Sequence, residues 1–435
     1  MSWLRLLRIA SATLACLTLI FGPAEGSAQL VGARCAQPLT AGSVPTARDC
    51  LAILLAAVGA YECKPACACE PAARGRITST DALVCLRAAT RQEADLRCLG
   101  SIPVVTTTST TSTTSTTLPG AVSVIEVTSA AQAGPGTLRA AIEQANASAG
   151  PTTIVSRLPP GTVVQITEQL PALKAPGARL QANGLVLQGG SCVRPDGRAG
   201  CDGLLVTGPH IRVETLFVSG FTLDGIEVRG PSARGVVIVS CHCSNNGDDG
   251  LGIAAGAGPV LVLGSVFENN GFRTKGKGVL VFQGARATLR GNVIRGNRDG
   301  VTAADGAIAY LVDNEVSDNA DKGVGVRSAV LLGNGNRVRT NGTLAGPNAD
   351  GLRVTLGGVV RLSNTEISGN GDSGVVALDD SSVLLAGGSV VSNAGAGVVA
   401  RDLARVELLS VDVRDNARSL ESVPPASIAR TCLGP

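Results

Sequence analysis

Aromatic residues make up only 2% of this 435-residue chain: one Trp, two Tyr and six Phe. Sugar sites favour aromatic platforms, and here Tyr310 is the one tyrosine of the large C-terminal region. Two histidines, His210 and His242, leave little room for a histidine-rich metal site or a relay of the serine-protease kind. Charged residues are 16% and the net charge is +3, which excludes bulk electrostatic attraction to nucleic acid. What is abundant is glycine, 55 residues, and apolar side chains, 44%. The first points to many tight turns and the second to a sizeable core; the length allows two or three domains.

Arg5 and Arg8 precede the apolar run Ile9 to Phe21, and the small residues Gly26-Ser27-Ala28 follow. Residues 1–28 read as a secretory signal cleaved after Ala28. The run is too short for a membrane span and no later segment reads as one, so a secreted or cell-surface protein is expected. Twelve of the 13 cysteines remain after cleavage. An even count in an exported chain suggests disulfides. Cys192 and Cys201 flank a polar loop and are expected to pair. Disulfides are also favoured over a metal site for Cys63, Cys67 and Cys69, which have no histidine nearby.

Residues 106–117 are all Ser or Thr. They mark a flexible linker, 103–120, between a Cys-rich segment, 29–102, and a large one, 121–435. The Cys-rich segment repeats itself at an offset of 32: Asp49, Leu51, Leu54 and Ala56 match Asp81, Leu83, Leu86 and Ala88. Both copies read as short apolar-faced helices with an acid in the first turn. With Gly75, Ile77 and Asp81 the second copy resembles half of a dockerin module, whose loop binds calcium. In that register Glu70, Ala72 and Arg74 fall at the early ligand positions. Alanine donates no side-chain oxygen and arginine repels a cation. Glu70 and Asp81 are therefore remnants of a loop whose calcium affinity is expected to be lost or very weak, and no other cofactor is implied. Docking to a surface partner and a disulfide-pinned spacer both remain open for this segment.

From residue 225 the chain repeats. Glycine recurs at Gly225, Gly250, Gly278, Gly300, Gly323, Gly351, Gly374 and Gly397. In phase with it run Asn246, Asn270, Asn297, Asn319, Asn341, Asn370, Asn393 and Asn416, each three residues after an apolar or cysteine side chain. Short period-2 runs such as Leu352, Val354 and Leu356 are strands, and a 22-residue unit of this composition has no room for a helix. A unit of this kind buries its apolar face only by stacking on its neighbours. The pattern resembles a right-handed parallel β-helix of the pectate-lyase type, with regular coils over about 225–416. The expected fold class is thus mainly β, with a small helical Cys-rich N-terminal domain. The asparagines are expected to stack as a hydrogen-bonded ladder. The segment 137–146, Thr-Leu-Arg-Ala-Ala-Ile-Glu-Gln-Ala-Asn, resembles the cap of exported bacterial β-helix proteins and is expected to be helical. The residues before the repeat glycines are Asp224, Asp249, Lys277, Asp299, Lys322, Asp350, Ser373 and Ala396. From 249 to 350 acid and base alternate, which reads as a surface charge ladder.

Two insertions, Gly271 to Lys277 and Gly342 to Ala349, leave from one corner three turns apart, roughly 14 Å. They are expected to border a groove, with Phe272, Arg273 and Lys275 projecting from the first. Asp248-Asp249 resembles the paired aspartates of the polygalacturonase family, with His242 nearby, but the family's Gly-His-Gly and Arg-Ile-Lys motifs are missing. These three are the candidate catalytic residues. The overall expectation is an exported, monomeric β-helix with a structural, adhesive or ligand-binding role and no catalysis. Its partners would be a surface protein or a glycan, not nucleic acid. The alternative is a lyase or hydrolase acting on acidic glycans.

Overall fold

The structure is a computed structural model. It describes residues 122–194, 196–271, 276–344 and 348–431, together with Asp49, Cys50, Ala52, Ile53, Ala82, Cys85 and Ala89. The leader, the 103–120 linker, Glu70, Asp81, Phe272, Arg273 and Lys275 lie outside the described residues. The chain divides into two compact units, residues 1–114 and 115–435. In the first unit all seven described residues are helical, and Cys50 and Cys85 form a disulfide.

The second unit is a parallel solenoid of about 12 turns. Each coil carries three short strands. The first lies just after the repeat glycine, as in Leu251–Ala254. Stacked on its equivalents it makes a ten-stranded parallel sheet, face A. Face B contains Val260–Leu263 and face C contains Val266–Glu268. Two strands, Val359–Ser368 and Ser382–Val391, run through both B and C and bend at the left-handed Asn364 and Gly387. Register is maintained from coil to coil: Ile226, Leu251, Val279, Val301 and Val324 are successive partners, and all five are buried. Such a column removes apolar surface from water only because another coil lies above and below.

The glycine and asparagine repeats are two sides of one contact. A β-carbon at Gly278 would lie 2.7 Å from the Asn297 amide nitrogen, and one at Gly323 2.6 Å from that of Asn341. Any larger residue would push the asparagine out of line. At the start of the solenoid, α1 (Leu138–Ala147) begins after Thr137, whose hydroxyl accepts the Ala140 N–H at 3.3 Å. Leu138, Ala141, Ile142 and Ala145 are buried in the core shared with Ile125 and Val127. Among the described residues no helix is long and apolar enough to cross a membrane.

Candidate functional site

Each coil turns from face C to face A at the asparagine corner. From Asn246 to Asn393 every side-chain amide donates to the carbonyl oxygen of the next asparagine, at 2.8–3.1 Å. That same oxygen also accepts the backbone N–H of the asparagine below, as in Asn270 to Asn297 at 2.9 Å. The column is buried except at its end, Asn416. A second, shorter column stands at the corner between faces B and C: Asn292, Asn314 and Asn336, linked at 3.0 Å. The sequence reading missed it, although each of the three stands five residues before a ladder asparagine.

The next column on the same corner holds the residues before the repeat glycines. Asp202, Asp224, Asp249, Asp299 and Asp350 are all buried, with at most 9% exposure, so this is not the surface ladder that charge alternation suggests. The position looks solvent-facing because a charge before a glycine is common in exposed turns. Here the backbone of the next coil covers it. Asp202 Oδ1 accepts the Asp224 N–H at 3.3 Å and Asp224 Oδ1 the Asp249 N–H at 2.9 Å. Asp249 Oδ1 accepts the Lys277 N–H at 2.6 Å, and Asp350 Oδ1 the Ser373 N–H at 3.2 Å.

Below Lys277 the acids crowd together. Ligand oxygens of Asp224, Asp248 and Asp249 lie within 4.8 Å of one another, as do those of Asp202, Asp224 and Glu227. Gly252 makes room for this group, since a β-carbon there would collide with the Asp224 carboxylate. Burial, then the Asp249 and Asp202 charges, pushes Asp224 well above the usual carboxylate range. Burial, then Asp248, raises Asp249 to about 7. Burial also raises Asp202 and Glu227. Hard oxygen donors at this spacing suit a cation such as calcium. Yet one oxygen of each of the three stacked aspartates already serves the backbone, which is a structural use. His242 belongs elsewhere: its Nε2 lies 2.9 Å from Glu268 Oε1 on face C, and its ring meets Phe217 edge-on. The structure thus groups Asp248 with Asp249, while His242 has its own partners.

Above Lys277 the column alternates in sign, and face A carries a groove of about 370 Å³. Lys277, Lys322, Arg327 and Arg353 line it, together with Asp299, Thr302 and Gly325. Asp299 Oδ2 holds Lys322 Nζ at 2.9 Å and Lys277 Nζ at 3.7 Å. Arg353 is held by Asp350 at 2.7 Å, and Arg327 by Asp305 at 3.2 Å. Burial raises Asp350 to about 6, with Arg353 acting against it. The side chains of Lys277, Lys322 and Arg353 are about one-fifth exposed, whereas those of Asp299 and Asp350 are 8% and 0% exposed. The cations therefore reach the groove surface and the carboxylates lie beneath them. Of the first insertion, its last residue, Lys277, lines the groove.

Cys192 and Cys201 form a disulfide. Cys241 and Cys243 are free and buried. Burial pushes the Cys241 thiol up to about 11, so neither nucleophilic nor redox chemistry is favoured there.

A family model described as a right handed beta helix region matches residues 200–330. No curated protein matches the chain. Among solved structures, it is similar to the A-module of a mannuronan C-5 epimerase from Azotobacter vinelandii, at 15% identity and a TM-score of 0.47, covering 72% of this chain and 89% of that one. It is also similar to a pectate lyase, at 15% identity and a TM-score of 0.42, over 70% and 80% of the two chains. A third is an alginate lyase from a Paenibacillus species, at 16% identity and a TM-score of 0.37, over 71% and 98%. At such identities the likeness concerns the fold alone. The chain is a mainly β parallel solenoid containing a right-handed β-helix region.

Proposed function

We propose that this is an exported β-helix protein that binds an acidic glycan along face A and does not cleave it. One observation carries the reading: Lys277, Lys322 and Arg353 are fixed by buried carboxylates with their charged ends at the surface of an elongated groove. Cations held in place lose little side-chain freedom when a polyanion arrives. Among the described lining residues Phe282 is the one aromatic, so stacking on sugar rings is not what carries the reading. Hydrolysis would need two available carboxyl groups at a defined separation. Asp299 is engaged by two lysines and Asp305 by Arg327. The leader, the cysteine usage and the two disulfides support export. The Cys-rich segment then serves as a spacer or a docking module.

The second reading, a glycan-cleaving enzyme, is favoured by Asp249, raised to about 7 beside Asp248 as a general acid would be. Against it stands the burial of Asp224 and Asp249, which keeps both from a polymer. The test is calorimetric titration with polygalacturonate and alginate alongside product assays on the same polymers. Binding without product is expected, and Lys322→Ala should weaken it about tenfold, the worth of one lost charge contact. Turnover that disappears in Asp248→Ala and Asp249→Ala would replace this proposal with the enzymatic one.

A further inference from the structure

Asp299 departs from the rule of its column. Asp202, Asp224, Asp249 and Asp350 each give one oxygen to a backbone N–H of the next coil. Asp299 Oδ1 is buried and has no hydrogen-bond partner, although its other oxygen holds two lysines. Three residues further along the same face A strand, Thr302 Oγ1 is likewise buried and unpartnered. Both residues are more than nine-tenths buried and both line the groove. Two orphaned polar atoms lining one groove are costly, and they persist where a ligand satisfies them.

The neighbouring coil opens the way to them. Gly325 is the register partner of Thr302. A β-carbon at Gly325 would lie 2.8 Å from Lys322 Cε and 3.4 Å from Thr302 Oγ1. Without a side chain at Gly325, a notch lies between Thr302 and the Lys322 stem, and Asp299 holds the Lys322 ammonium at its end. Its chemistry is mixed: a cation at the rim, a carboxylate oxygen that only accepts, and a hydroxyl that donates or accepts. A phosphate or sulfate group offers acceptors and would be repelled by Asp299 Oδ1. A sugar hydroxyl next to a carboxylate fits all three.

Building on the groove reading above, we infer that the Asp299–Thr302–Gly325 notch is a specificity subsite that reads a hydroxyl of a uronate unit. The hydroxyl donates to Asp299 Oδ1 and shares a hydrogen bond with Thr302 Oγ1, while the unit's carboxylate pairs with Lys322. The groove then distinguishes hydroxylated polyanions from polyphosphate of similar charge.

The test is calorimetric titration of the full chain with polygalacturonate and with sodium polyphosphate. Thr302→Val should lower affinity for polygalacturonate about tenfold and change that for polyphosphate less than twofold, one neutral hydrogen bond being lost. Thr302→Ser should retain binding, and Gly325→Ala, which fills the notch, should behave like Thr302→Val. The thermal midpoint of Thr302→Val should stay level or rise, because the hydroxyl removed has no partner in the free protein. If Thr302→Val and Gly325→Ala bind polygalacturonate as the wild type does while Lys322→Ala loses both polymers, the subsite is overturned and the groove stands. If Lys322→Ala also changes nothing, the groove reading itself falls. Should Thr302→Val not fold, the Gly325→Ala and Thr302→Ser pair decides the matter by the same criteria.

Discussion

The corner column solves one electrostatic problem in two ways. Below Lys277 three buried aspartates follow one another, and the crowding is relieved by keeping protons: Asp224 lies well above the carboxylate range and Asp249 at about 7. Above it, Lys277 and Lys322 flank Asp299, and the relief comes from cations. Backbone and register are the same in both stretches. The difference shows that this position is set by the fold to be covered, not charged, and that sequence then decides how a charge survives there. Among the described residues of this column, the buried oxygen without a hydrogen-bond partner, Asp299 Oδ1, lies in the cationic stretch.

The asparagine ladder runs through both stretches and serves as the control. Asn270→Ala below and Asn319→Ala above should each cost about 3 kcal/mol, since each orphans buried donors of the neighbouring coil. Urea denaturation should give matching losses, and a clear inequality would show that the two stretches differ in more than their charged column. Next in size, Asp299→Asn should destabilise by about 2 kcal/mol, because two lysines about one-fifth exposed lose their counter-charge. Asp224→Asn, which keeps the acceptor oxygen and removes the cost of protonating a buried carboxyl in alkaline solution, should stabilise at pH 8. Opposite signs for these two substitutions are the sharpest form of the comparison.

The pH dependence follows from the same carboxyl groups. For Asp202, Asp224, Asp249 and Asp350 the folded pKa is raised, so the native state binds more protons than the unfolded one above about pH 4. Stability is then greatest in mild acid and declines as pH rises through about 6 for Asp350 and about 7 for Asp249. Hydrogen bonds hold Glu268 and Glu421 below their usual range, partial burial notwithstanding, and they add stability that is lost only in stronger acid. Thermal midpoints should therefore be a few degrees lower at pH 8 than at pH 5. Asp224→Asn should shrink that gap. A midpoint independent of pH across this range would mean the lower acids are not protonated as described.

The period of the coils was open to reading because glycine and asparagine meet there, the one required by lack of space and the other by an amide that donates and accepts at once. Gly300 shows the reason, with the Asn319 amide nitrogen 2.9 Å from where a β-carbon would be. The second asparagine column spans only three coils, too few to stand out from other Asn in turns. The burial of the corner aspartates was hidden because what covers them is the backbone of the following coil, which leaves no residue-specific trace. Phe272, Arg273 and Lys275 lie outside the described residues. The described lining of the groove comes from Lys277 and from strand positions of face A, such as Thr302 and Gly325, whose outward direction follows from register and not from any motif. Cys241 and Cys243 show the limit of counting cysteines, since both are buried and unpaired, one just before the strand His242–Ser244 and one within it.

The asparagine column has one more consequence. Its bonds pass only between adjacent turns, so the number of turns is not dictated by any closure condition. Loss or duplication of a whole unit, for instance the 22 residues from 298 to 319, would restore the same amide-to-amide handshake across the splice. A fractional change cannot do so. The solenoid can thus lengthen or shorten only in steps of one whole turn.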